Sequence, residues 1–317
     1  MPHKYNEDRR HELHQPRYKV KNWSGYNSAL RQRGDFTMWL TEEAIGQWRP
    51  SKTGGRGRAM EYSSIAIETT LFIREVFRLP LRQTEGLMNS LARGMGLDIS
   101  IPDYSSMSRR SISLPRHVLS KALEPVSLVI VDPTGLKVYG KDEWHQEKHN
   151  VSARRTWRKL HLAIDESHQI IACELTTPEV GDTTALPNLL GQIMNPFTTF
   201  IGDGAYGGEP VTQAVLVKEP DARVVVPPDR AAVLSHTGDT QRDRHIETID
   251  QKGRIDWQRV TGYSLRSYVE LAIQRYKQIF GNVMRARMLP QQETEAWVAS
   301  AVFNRMTSFG MPVLEKA

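Results

Sequence analysis

Three acids in this chain stand where their neighbours suggest chemistry. Asp132 closes the apolar run SLVIVD and is followed by PTG, and Asp203 closes TFIGD and leads into GAYGG. A carboxylate at the end of a buried strand is costly unless it is paired or ligates a cation. Two of them on neighbouring strands would repel. A hard divalent ion such as Mg²⁺, which takes carboxylate oxygens, removes both penalties. The glycines around each Asp leave space for a metal and a phosphodiester. The third acid, Glu270, lies in YSLRSYVELAIQRYK. Read as one helix, that stretch projects Tyr263, Arg266, Glu270 and Lys277 within an arc of about 60°. Its opposite side takes Leu265, Tyr268, Val269, Ala272, Tyr276, Ile279 and Phe280 as a broad apolar face. One carboxylate therefore sits among two cations and a phenol, on a stripe that is either a solvated face or a site.

The elements that must position these groups follow from the hydrophobic pattern. Residues 127–132 form a fully apolar strand, and WRKLHLAID and QIIACELTT form a hairpin about DESH. GDTTALPNLLGQI follows as a helix with Asp182 as its cap, then strand 199–203, the helix EPVTQAVLVKE and the strand ARVVVPP. A polar stretch from Asp229 to Trp257 leads to the helix of Glu270. This order implies an α/β fold, a mixed sheet with helices packed on it. Upstream, YSSIAIETTLFIREVFR and LPLRQTEGLMNSLARGMGL read as helices, the second opened near Pro80 and closed at Gly94 or Gly96. The segment after them carries Arg109 and Arg110, the outline of a helix-turn-helix; a small helical bundle without a DNA role fits the same pattern. WSGYNSALRQRG reads as loop, FTMWLTEEAIGQW holds a short helix capped by Thr41, and SKTGGRGR reads as a basic linker. The expected division is a flexible basic region 1–60, a helical DNA-binding domain 61–115 and a catalytic domain 116–310.

Composition narrows the class. The 317 residues carry 42 Lys and Arg against 36 Asp and Glu, a formal charge of +6. The basic residues gather at RRTWRK, GGRGR and MRAR, which suits a polyphosphate partner. A single cysteine, Cys173, excludes an internal disulfide and a thiolate metal site. No apolar run is long enough for a membrane span and the start has no signal-peptide pattern, so a cytoplasmic protein with no membrane partner is expected.

With these residues in view, the chain resembles the DDE transposases of bacterial insertion sequences, specifically the insertion sequence 5 family. The resemblance runs from about residue 60 to 305 through VDPTGLKVYG, GKDEWHQEKHNVSARRTWRKLHLAID and IGDGAYGG. The last helix is similar to that family's Y-x2-R-x3-E-x6-K signature in every spacing. The resemblance implies an RNase H-like catalytic domain in which Asp132, Asp203 and Glu270 bind two Mg²⁺ ions, with Mn²⁺ as a substitute. It implies cleavage at terminal inverted repeats of double-stranded DNA and joining of the freed 3′-OH to target DNA. Arg266 and Lys277 are then expected on DNA phosphates and Tyr263 on the strand end. Arg154, Arg155, Arg158 and Lys159 are expected to face phosphate, with Arg109 and Arg110 on DNA as well. Synapsis implies a dimer or higher multimer during reaction, at the nucleoid. In one place the pattern departs: Lys141 and Asp142 stand where the family often has Gly-Glu before the Glu-Trp of its second motif.

Other residues have plainer readings. Asp165 starts a turn, His161 is a core or edge histidine, and Cys173 is a strand residue. His145 and His149 do not have the order of a zinc helix, Trp157 anchors the hairpin, and Trp297 and Phe303 pack on the sheet. A catalytically inactive helix-turn-helix repressor and a metal-independent tyrosine recombinase stand as the other functional readings.

Overall fold

The computed structural model describes residues 18–50, 60–117, 119, 126–138, 157–236 and 238–316. In chain order these form β1 (Tyr18–Val20), α1 (Trp23–Gly34), α2 (Glu42–Gly46), α3 (Ser64–Val76), α4 (Leu81–Gly94), α5 (Tyr104–Ser111), β2 (Val126–Val138), β3 (Trp157–Ile164) and β4 (Ile170–Thr176). Then follow α6 (Asp182–Gln192), β5 (Phe197–Ile201), α7 (Glu209–Lys218), β6 (Arg223–Val225), α8 (Gln241–Thr261), α9 (Ser267–Phe280), β7 (Val283–Met284), α10 (Leu289–Ser308) and β8 (Leu314–Lys316).

The sheet is built outward from β2, with spatial order β4-β3-β2-β5-β6. β3 and β4 run antiparallel as a hairpin on one side of β2, and β5 and β6 run parallel to β2 on the other. This is the mixed, helix-flanked, RNase H-like sheet that the resemblance implied. Alternation along β2 feeds two cores. Leu128 and Ile130 face α3, α9 and α10, while Val129 and Val131 face α6 and α7. All four are buried, so a one-residue slip of register would exchange two cores at once. α10 fixes the start of β4 directly, since the Asn304 carboxamide accepts from Ile170 N and donates to Ile170 O, both at 2.7 Å.

The helices before the sheet share its core. Ile67, Leu71 and Ile73 of α3 join the apolar cluster that contains Leu136, Leu160 and Phe303. A buried polar network reinforces this seam. Arg285 donates to Glu75 of α3, Arg74 donates to the same carboxylate at 3.1 Å, and Glu295 of α10 accepts from the backbone of Arg285 and Ala286. Glu75 has its pKa raised by burial, against the pull of both arginines.

Several expectations need correction. WSGYNSALRQRG is α1 rather than loop. It lacks a side-chain cap and carries glycines, and tertiary contacts hold it: Asn22 donates to Met311 O and Arg33 to Gly310 O. The polar stretch after Asp229 contains α8, opened by a capping box in which Thr240 and Asp243 bond reciprocally and broken at Gly253 (φ 80°). The segment Met95–Asp103 between α4 and α5 is longer than the turn of a helix-turn-helix. Asp182 is not a cap: Gly181 holds that position, and the Asp182 carboxylate receives Lys159 Nζ at 3.0 Å. Other readings hold. Asp165 accepts from Ser167 N and Gln169 N and turns the hairpin, Thr41 caps α2, and Trp297 and Phe303 are buried.

Candidate active site

Asp132 lies inside β2, not at its end, because β3 continues to pair with β2 as far as Lys137. The other edge of β2 is paired with β5 only to Ile130 and with β7 only from Lys137. Residues 131–136 thus border a gap in that edge, and a proline at 133 is tolerated beside such an unpaired edge. By alternation, Asp132 projects on the face of Leu128 and Ile130, the face that α9 covers.

Asp203 reaches the same place from β5. The register pairs Ile130 with Ile201, so two residues further along each strand stand Asp132 and Asp203. There β5 ends in a 3₁₀ turn, Gly204–Tyr206, and the Asp203 side chain caps it by accepting from Ala205 N at 2.9 Å. Tyr206 anchors this turn, its ring buried against Gly202. A Cβ on Gly202 would lie 3.0 Å from Tyr206 Cβ, so glycine is needed for the close approach.

Glu270 arrives on α9, and here the helix differs from its expected extent. Tyr263–Arg266 is a 3₁₀ turn entered through Gly262 in the left-handed region (φ 73°), and the α-helix begins at Ser267. Leu265, expected on the apolar face, is exposed, while Val269, Ala272, Tyr276 and Phe280 are buried as expected. Arg266 is brought between two of the acids. It donates to Glu270 Oε1 at 2.6 Å and to Asp132 Oδ1 at 3.2 Å.

The electrostatics report the same convergence. Burial raises the Asp132 carboxyl to about 6; Arg266 opposes the rise, and the charges of Asp203 and Glu270 add to it. The Arg266 pKa is raised as well: three acidic neighbours (Asp132, Tyr263 and Glu270) outweigh its burial and hold it cationic. The two directions agree physically, since Asp132 has one cation and two acids about it. The Tyr263 phenol is raised by burial and also feels Asp203 and Asp132. Its ring packs tilted against Trp257, 5.1 Å between centroids. Lys277 lies two turns beyond Glu270, half-buried, with its pKa lowered by burial.

The donor set suits a divalent cation. Carboxylates from three separate elements interact across a half-buried site, and the cation between Asp132 and Glu270 is a guanidinium. Among the described residues no three acids, cysteines or histidines stand together at ligating distance, in keeping with Arg266 between two of them.

The remaining site candidates fall elsewhere. Lys159 and His161 lie on the α6 face of the sheet, where Lys159 holds Val180 O and Asp182. His161 is buried and meets Thr176 Oγ1 at 3.0 Å; its Nδ1 makes no hydrogen bond but stands 3.9 Å from Asp182 Oδ1. Arg158 donates to Gln292 Oε1 and Trp157 O, and the Trp157 ring lies over Gly135. On α5, Arg109 donates to the Ser105 and Ser106 hydroxyls, and Arg110 to Tyr62 O. Arg154, Arg155, Lys141, Asp142, His145 and His149 lie outside the described residues. Sequence reasoning passed over Tyr206; an aromatic three residues after Asp203 in a glycine-rich turn was its visible signal.

Comparison with known families agrees with this geometry. Two family models, each described as a transposase DDE domain, match residues 31–141 and 125–305. The second covers more than half of the chain, together with Asp132, Asp203 and Glu270. The chain belongs to the DDE transposase domain family, whose members are metal-dependent nucleases and strand transferases acting on DNA. Among the described residues no helix is long and apolar enough to cross a membrane.

Proposed function

We propose that this transposase binds the terminal inverted repeats of its own insertion sequence, cleaves DNA at those ends and joins the 3′-OH to target DNA. The observation that carries the reading is the meeting of Asp132, Arg266 and Glu270 across β2 and α9, with Asp203 coupled to them. The spacing of Tyr263, Arg266, Glu270 and Lys277 supports the insertion sequence 5 branch. In this reading Asp132, Asp203 and Glu270 hold two divalent ions, Mg²⁺ or in its place Mn²⁺. Bound there, such ions would supply activation of the attacking oxygen and stabilisation of the leaving one.

The chain's own residues do the rest. Burial of Asp132 makes its carboxylate a strong partner for a hard cation, because the uncompensated charge is costly there. Arg266 bridges Asp132 and Glu270 in the free protein. Were those oxygens engaged by a cation, its guanidinium would be free for a DNA phosphate, a bidentate acceptor it suits well. Lys277 neutralises a second phosphate and Tyr263 meets the strand end beside Trp257. The Gly202–Tyr206 contact holds the turn that carries Asp203. In this reading Arg109, beside the exposed Tyr104, gives α5 its DNA-contacting face. Two chains act together on paired ends in the cytoplasm, at the nucleoid.

The test is a Mg²⁺-dependent cleavage assay on DNA carrying the termini that flank this coding sequence. Asp132→Ala, Asp203→Ala and Glu270→Ala should each abolish cleavage while leaving end binding nearly intact. Cleavage that survives in any one removes that residue from the triad. Cleavage that survives EDTA removes the metal-dependent reading altogether.

A further inference from the structure

Away from the acids, α9 carries a second cationic group whose surroundings are unlike those of an ordinary surface arginine. Arg275 donates through Nη2 to Thr307 Oγ1 at 3.1 Å, and its guanidinium lies over the Phe303 ring, 4.5 Å from the centroid. Arg33, on the last turn of α1, donates to Gly310 O and stands 6.0 Å from the Tyr26 ring. Both side chains are half-buried, and neither has an ion-pair partner among the described residues. Arg33 Nε and Arg275 Nη1 are completely enclosed and donate to nothing there. Burial lowers the pKa of both, and Arg33 adds its charge to bring Arg275 down to about 10. His168, its ring tilted 4.4 Å from that of Tyr268, also feels Arg275.

Two like charges drawn out of water and left unpaired are expensive. The cost falls if an anion seats against the accessible side of the two half-buried guanidiniums, and phosphate is the anion their charge and planar shape suit. Among the described residues, none of the acids on the surrounding elements pairs with either arginine. α1 carries Arg31 and Arg33 and no acid. Beyond Glu270, α9 carries Arg275 and Lys277 and no acid; beyond Glu295, α10 carries Arg305 and no acid. This uniform sign favours a polyanion over an acidic protein segment, which would meet the pair as one charge among several cations.

We infer that Arg33 and Arg275 form a phosphate site for duplex DNA, separate from the carboxylate face of α9. Arg275 lies five residues past Glu270, about 7.5 Å along the helix and about 140° around it. A duplex seated there is a different stretch from the one at the acids. One helix thereby links the cleaving face to a second DNA contact. The inference rests on the reading of this chain as a DNA-acting transposase.

The test uses the full chain in EDTA, so that binding is measured without cleavage. Affinity for a fluorescent duplex of arbitrary sequence is followed over a series of salt concentrations. One phosphate contact contributes about 0.9 to the slope of log K against log salt. Arg33→Gln and Arg275→Gln should each flatten the slope by about 0.9, and the double variant by no more than that, since they share one phosphate. Arg33→Lys should retain the wild-type slope. Inorganic phosphate at fixed ionic strength should raise the melting midpoint of the wild type and of neither Gln variant. If Arg275→Gln fails to fold, Arg33→Gln carries the test. Unchanged slopes in folded Gln variants overturn the inference and leave the catalytic reading standing. Stabilisation by phosphate with an unchanged DNA slope assigns the site to a free anion and overturns the DNA assignment. A wild-type chain that does not bind duplex DNA overturns both readings.

Discussion

Replacing Asp132 with Asn should make the metal-free protein more stable while destroying its activity. The Asp132 side chain is 13% exposed, and burial lifts its carboxyl from 3.8 to about 6. The folded chain therefore holds this proton more tightly than the unfolded chain does. Stability falls as pH rises from about 4 to about 6 and is level above that. A gap of about 2 pKa units, at ~1.4 kcal/mol each, amounts to about 3 kcal/mol of folding free energy lost at neutral pH. An Asn of the same shape escapes that loss and can still accept from Arg266, which also keeps Glu270. Urea unfolding in EDTA should find the two proteins equal near pH 4 and the variant ahead by up to about 3 kcal/mol at pH 8. That difference moves the midpoint by roughly 1 M or more. A divalent cation should raise the wild-type midpoint and leave the variant's unchanged. A variant that is less stable at pH 8, or a gap that does not vary with pH, would refute the claim that burial outweighs Arg266 at this carboxylate.

Gly202→Ala should fold yet cut cleavage by about 100-fold, because the added Cβ displaces Tyr206 and with it the Asp203 turn. The cleavage assay and near-UV dichroism check this together. Arg285→Met should cost about 3 kcal/mol in urea unfolding, since it strips a donor from the buried Glu75 carboxylate and loosens the α3–α10 seam. Glu75→Gln in that background should recover part of the loss. Lys277→Ala should leave the melting midpoint within about 1 °C and flatten the salt dependence of end binding by about 0.9.

What the sequence carried about this fold depended on which physical signal was strongest. Apolar runs marked β2 to β5, and the turn chemistry of Asp165 marked the hairpin, because burial and backbone satisfaction are local demands. The meeting of Asp132 and Glu270 at Arg266, with Asp203 close enough to add its charge, was legible through the unusual cost of each carboxylate and through the fixed spacing on α9. Its detail was not. Asp132 sits mid-strand because β3 outlasts β5 along β2, a matter of register that only the paired strands define. Arg266 bonds two acids because the chain tightens to a 3₁₀ turn before Ser267, which the ideal helical spacing does not anticipate. α1 escaped notice because its stability comes from partners 277 and 289 residues away, Gly310 and Met311, rather than from its own caps. α8 could have been read from Thr240 and Asp243, a capping box hidden in polar sequence. The shared core of α3 and the sheet also means that residues 61–115 cannot be deleted without opening it, so DNA recognition by α5 is best probed with Arg109→Ala.

The central claim is that three distant carboxylates grip divalent ions together, and Mn²⁺ bound to the complex with end DNA can be counted by electron paramagnetic resonance. Wild-type protein should hold two ions per chain, and Asp132→Ala, Asp203→Ala and Glu270→Ala should each lower that number or weaken the binding at least tenfold. Unaltered Mn²⁺ occupancy and affinity in all three variants would contradict the account.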